Sequence, residues 1–157
     1  MKNFQLLLGI SLFALLSCDK NQDTDAGSDY LIFGHYYGFC GGEKCIEIFK
    51  LEDTKLYEDS LDQYPTSASF YSGNFNALSN EKFELVKDIR NQIPNELILD
   101  SSKVIGIPDA GDWGGFYVEY KKGDLRKSWL LDKHKGNVPA SYHAFMDHMD
   151  AKIKLLE

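Results

Sequence analysis

Asp109 and Asp112 stand three residues apart in a glycine-rich run, Pro108-Asp109-Ala110-Gly111-Asp112-Trp113-Gly114-Gly115, and are the residues best spaced for chemistry. Two carboxylates on a backbone freed by glycines suit an oxygen-seeking cation such as Ca²⁺, and Trp113 offers a ring face to a sugar. The run is not an EF-hand, because the third acidic position, the alternation of ligands and the terminal Glu are missing. The alternative is a plain turn, in which the Asp side chains bond their own backbone and Trp113 caps a sheet. The sequence favours the turn and keeps Asp109, Asp112 and Trp113 as a possible ligand loop.

The other candidate groups are scattered. Four histidines occur, His35, His134, His143 and His148. On a helix His143 and Asp147 would share a face, whereas His143 and His148, five apart, would diverge. His-Glu-x-x-His, Gly-x-Ser-x-Gly, a phosphate-binding loop and a dinucleotide fingerprint are all absent from the sequence. Glu58 and Asp59 are neighbours on an expected strand, so they point to opposite faces and cannot act on one bond. The expectation is therefore no catalytic residue, no resident metal and no cofactor. A small metal-dependent envelope hydrolase using Asp109, Asp112 and a histidine is the competing reading, and a non-enzymatic binding or accessory module is preferred.

Three cysteines remain, Cys18, Cys40 and Cys45. In front of Cys18, Lys2 supplies a positive start, a run from Phe4 to Leu16 is almost wholly apolar, and Ser17 is small. That order is a secretory signal peptide, too short for a comfortable membrane span. Leu15-Leu16-Ser17-Cys18 resembles the lipobox of bacterial lipoproteins, which implies a removed leader at 1–17 and a lipid on Cys18. Export implies an oxidising compartment, where Cys40 and Cys45 are left as a pair. They close a tight loop, Cys40-Gly41-Gly42-Glu43-Lys44-Cys45, and a disulfide is favoured over a thiolate metal site or free thiols.

The chain's 157 residues carry a formal net charge of −7, which argues against nucleic acid and against electrostatic adhesion to anionic lipid. Membrane attachment then falls to acyl chains, at about 0.8 kcal/mol per buried methylene. Residues 18–29 are polar and acidic and read as a flexible tether. An acidic stretch after the lipidated cysteine resembles a surface-export signal of some Gram-negative bacteria. The expected location is thus the Gram-negative cell envelope, at the outer membrane, with an envelope protein or glycan as partner.

Residues 30–157 must position these groups. Alternation from Tyr30 to Phe39 with apolar residues on both faces predicts a central strand. Strands are expected over 45–51 and 55–60, joined through Glu52-Asp53-Thr54, and 64–78 reads as a long loop. Ser79 is a plausible N-cap for a helix whose Phe83, Val86, Ile89 and Ile93 recur until Pro94. Segments 97–99 and 104–107 are left as strand or irregular. A hairpin, 116–121 and 125–131, turns at Gly123-Asp124, and Val138-Pro139 opens a last helix with the stripe Tyr142, Met146, Met149, Ile153 and Leu156. The order predicts one α+β domain, a single antiparallel sheet with two helices on one face.

The early strand leading into Gly38-Phe39-Cys40-Gly41-Gly42-Glu43-Lys44-Cys45, the hairpin from Ile48-Phe49-Lys50-Leu51 to Leu56-Tyr57-Glu58-Asp59, the helix after Leu78-Ser79, the second hairpin and the Pro-led last helix together resemble a family of small secreted bacterial domains of unknown function. The chain departs from the Gly-x-Cys-Pro turn common in that family. The resemblance implies a structural frame and carries no catalytic residue across.

Overall fold

The computed structural model describes residues 28–157. The leader 1–17, Cys18 and the tether up to residue 27 lie outside the described residues. Seven strands form one sheet: β1 (Tyr30–Tyr36), β2 (Ile46–Leu51), β3 (Leu56–Asp59), β4 (Phe75–Ala77), β5 (Val104–Ile105), β6 (Gly115–Lys122) and β7 (Leu125–Asp132). Their spatial order is β4-β3-β2-β1-β6-β7-β5. Three helices accompany them: α1 (Asn80–Val86), α2 (Asn95–Leu99) and α3 (His143–Leu156). The architecture is α+β, as the sequence predicts.

Two finer expectations are corrected. The sheet is mixed, because β5 runs parallel to β7 while every other pairing is antiparallel. The chain leaves β5, returns antiparallel as β6 and reverses again into β7, so two reversals bring β7 back parallel to β5 on its outer edge. Among the described residues there are also three helices, not two. The periodic run after Ser79 breaks at Lys87 into a 3-10 turn (Ile89–Gln92), and α2 is a separate short helix behind Pro94. Ile89 and Ile93 still reach the core, so the apolar pattern is right although the continuous helix is not. Phe75–Ala77, read as loop, pairs with β3 as an edge strand.

The central strand is confirmed: β1 lies between β2 and β6, and all seven of its residues are buried. Its odd-numbered residues Leu31 and Phe33 join Phe49, Leu51, Phe116, Val118, Trp129 and Leu131 beneath the helices. Helix α3 fills that face with Phe145, Met146, Met149, Ile153 and Leu156, four of which lie in the expected stripe. Burying such side chains is worth about 1.5–3 kcal/mol each. The even-numbered residues Tyr30, Ile32 and Tyr36 meet Ile48 and Tyr117 on the opposite face. Gly34 permits the close approach of β1 to β2, since a β-carbon there would fall 1.9 Å from the Glu47 carbonyl oxygen. No helix among the described residues is long and apolar enough to cross a membrane.

Among the described residues no helix covers the opposite face. It is crossed instead by the strap 61–74, whose Tyr71 ring packs on Tyr117 at 5.5 Å. Order also reaches slightly before the expected start, because Asp29 accepts from Gly123 N at 2.8 Å and its carbonyl accepts from Arg90 at 3.1 Å.

Candidate functional site

The Asp109 loop is built as a clipped turn. Asp109 and Asp112 both hold left-handed backbone, φ 61° and 59°, a conformation Asp tolerates better than most residues. One Asp109 oxygen accepts from Gly38 N at 2.7 Å and from the Tyr64 hydroxyl at 2.9 Å, and the other accepts from Gly114 N at 3.0 Å. Asp109 therefore ties the end of β1, the strap and its own turn together. Burial, then the Asp109 carboxylate, pushes the Tyr64 hydroxyl up to about 12. Asp112 is exposed and shares a shallow hollow with Tyr37, Phe39 and the cysteine loop.

Trp113 lies across Gly111, where a β-carbon would meet its ring at 1.9 Å, so only glycine fits beneath it. Its indole N–H donates to Asp132 at 2.6 Å. Asp132 is the organiser that sequence reasoning missed. It is fully buried (0% exposed) and also accepts from Ile107 N at 3.0 Å, His134 N at 2.8 Å and the Asn137 amide at 2.7 Å. Burial alone would raise the Asp132 carboxyl, but these four donors outweigh it and hold it below the ordinary carboxylate range. Its only sequence signal is an acid closing the apolar run Trp129-Leu130-Leu131.

The histidines are employed separately. His35 Nε2 lies 3.2 Å from the Lys44 carbonyl and 3.8 Å from Glu157, and burial lowers its pKa. His134 stacks against Trp113 at 5.5 Å. His143 Nε2 lies 3.0 Å from both the Lys135 and Val138 carbonyls, while Asp147 pairs with Lys135, so their shared helix face forms no joint site. His148 meets Asp88 at 3.0 Å. Among the described residues no three His, Cys, Asp or Glu side chains converge as a metal site. Cys40 and Cys45 form a disulfide, with an S–S distance of 2.00 Å.

Glu58 and Asp59 diverge as expected of strand neighbours. Asp59 turns to the strap, accepting from Tyr71 OH at 2.7 Å, Asp62 N at 3.1 Å and Asn74 N at 2.5 Å. Glu58 lines a small acidic hollow with Glu47, and Asp59 and Asp62 border the same hollow. Glu47 is 9% exposed, and burial, then the charges of Glu58, Glu157 and Asp62, opposed by Lys44, push its carboxyl up to about 7.

A second buried acid, Glu119, anchors the other end of the strap. Fully buried (0% exposed), it accepts from Tyr30 OH at 2.7 Å, Tyr117 OH at 2.6 Å and Tyr71 N at 3.0 Å. The Arg126 guanidinium donates to it through Nε at 2.9 Å and Nη2 at 2.7 Å. A buried carboxylate so fully partnered is a structural rivet. The same Arg126 lies 4.0 Å from the centroid of the Phe70 ring.

Beside this rivet opens a cleft of about 330 Å³, walled by strap residues 67–70, the connection 100–103 and strand residues 126–129. Ser67, Ser69, Ser101, Ser102 and Ser128 line it with hydroxyl-bearing residues, Lys103, Arg126 and Lys127 with cations and Phe70 with a half-exposed ring, while Trp129 borders it with its ring buried in the core. Lys127 Nζ donates to the carbonyls of Ile98 at 2.7 Å and Asp100 at 3.2 Å. Asp100 accepts from Ser102 N and Tyr142 OH, which sets the cleft wall. No local motif announces the cleft, because its three walls lie some thirty residues apart in sequence.

No protein-family model, curated protein or solved structure matches this chain. The resemblance to small secreted bacterial domains accordingly stands on sequence patterns alone.

Proposed function

We propose that this chain is a lipid-anchored protein of the Gram-negative cell envelope, held by acyl chains on Cys18, that works as a non-enzymatic binding or accessory module for an envelope protein or glycan. The observation that carries the binding reading is the open cleft beside a firmly riveted strap. Concave sites of this size with a few convergent polar groups on rigid elements are where small ligands bind. The Cys40–Cys45 disulfide supports export, since such bonds persist in oxidising compartments. Asp109 and three of the four histidines are committed to hydrogen bonds that position backbone or partner side chains, which supports binding over hydrolysis.

Two measurements test the proposal. Wild-type protein should take up a lipid label and partition into detergent, and Cys18→Ala should lose both; normal partitioning of Cys18→Ala refutes the anchor. Soluble peptidoglycan fragments, oligosaccharides and peptides should raise the melting temperature without being consumed. Hydrolysis of any of them that a chelator abolishes would refute the non-enzymatic reading.

A further inference from the structure

We infer that the cleft between the strap, residues 100–103 and β7 binds a small sugar bearing one carboxylate; this inference rests on the binding-module reading above. Its volume of about 330 Å³ sits at the small end of ligand sites and suits one or two sugar rings. Serine hydroxyls, which both donate and accept, match the hydroxyls of a sugar. The Phe70 ring provides an apolar face of the kind a sugar's C–H groups lie against.

Charge selects the anion. The chain as a whole is strongly acidic, yet three cations line this one cleft. Glu119 neutralises Arg126, and Asp100 offsets one of the two lysines, so a single positive charge is left over. That surplus matches one carboxylate better than a doubly charged phosphate. Arg126 spends Nε and Nη2 on Glu119 and leaves Nη1 without a partner among the described residues. Lys127 spends two of three N–H donors on carbonyls, and the Lys103 amine has no partner among the described residues. A guanidinium fixed by a buried carboxylate and a ring has already lost its rotamer freedom, so it binds an anion at a lower entropic cost.

The test is calorimetric titration of the full chain in detergent with D-glucuronate, glucose and glucose 6-phosphate. Glucuronate should bind saturably, with glucose weaker by about tenfold or more, the worth of one charge-assisted hydrogen bond. Lys103→Gln, at an exposed position outside the rivet, should weaken glucuronate severalfold and leave glucose unchanged. Arg126→Gln should remove glucuronate binding, and Lys103→Gln keeps the test decisive if that variant fails to fold. Glucose binding as tightly as glucuronate, or glucose 6-phosphate binding better, overturns the carboxylate assignment and leaves a binding module standing. Glucuronate binding that Lys103→Gln does not alter overturns the site. Absence of binding by all three sugars, in a chain whose melting temperature rises with an envelope peptide, overturns the sugar class alone; consumption of a titrated sugar overturns the reading beneath it.

Discussion

Glu47→Gln should stabilise this protein at alkaline pH and do little in acid. The carboxyl sits at the end of β2, nine-tenths buried, in a hollow with Glu58, and its folded pKa is about 7 against an ordinary 4.5. Burial is the first cause, followed by the negative charges of Glu58, Glu157 and Asp62, with Lys44 opposing. Because the folded pKa is raised, the protonated form is favoured in the fold. Its stability is fully present below the unfolded value and is lost as pH rises through about 7. At about 1.4 kcal/mol per pKa unit, the ionised form costs the fold on the order of 3 kcal/mol at pH 8. Glutamine has the same shape and cannot ionise. The variant should therefore gain about 2–3 kcal/mol over wild type at pH 8 and almost nothing near pH 4.5. Urea unfolding followed by tryptophan fluorescence, with Trp129 buried in the core, reads this directly. His35 titrates in the opposite sense, since burial lowers its pKa, so the difference between the two proteins is the readout. Stability curves of wild type and Glu47→Gln that run parallel from pH 5 to 8 would refute the assignment of Glu47.

Asp132→Ala should be among the costliest single changes, about 3 kcal/mol or more, because it leaves the Trp113 indole, the Asn137 amide and two backbone N–H groups without their acceptor; a loss under about 1 kcal/mol in urea unfolding contradicts the buried network. The wild-type Asp132 carboxyl is held low, so its contribution is present at neutral pH and lost as pH falls through the acid range, and Asp132→Asn should flatten that loss. Asp109→Ala should cost about 3 kcal/mol and Asp112→Ala about 1, because both place Ala on left-handed backbone but only Asp109 also clips three segments; equal melting temperatures for the two variants contradict this asymmetry. Replacing both Cys40 and Cys45 by Ser should lower stability by about 2 kcal/mol, the loop-closure value for so short a bridge, and wild type under reducing conditions should match it.

How much of this was legible depends on whether a residue's role is local. Ser79 caps its helix as its type predicts, accepting from Lys82 N. The hairpin of β6 and β7 turns at Gly123, where the backbone takes φ 55°. The Cys40–Cys45 pairing was readable because five residues of chain hold the two thiols together. By contrast, the parallel seat of β5 depends on a non-local pairing with β7 across the intervening β6, and two strand residues leave too weak a pattern to announce it. The break in the helix after Val86 is equally silent, because a 3-10 turn keeps Ile89 and Ile93 facing the core at nearly helical spacing.

For the sites the division is sharper. Residue type and spacing by themselves determined an acidic chain with two-faced apolar strands, a glycine-rich segment around Asp109 suited to a turn, and a pair of cysteines close enough to bridge. Only the tertiary structure decided that Asp132 and Glu119 are the buried acids, that Asp109 and Asp112 have unlike duties, and that Lys103, Arg126 and Phe70 meet at one cleft. The reason is physical. A backbone torsion or a short loop is governed by neighbours in the chain, whereas burial, charge pairing and cavity shape are set by side chains that arrive from distant segments when the strap closes over the sheet.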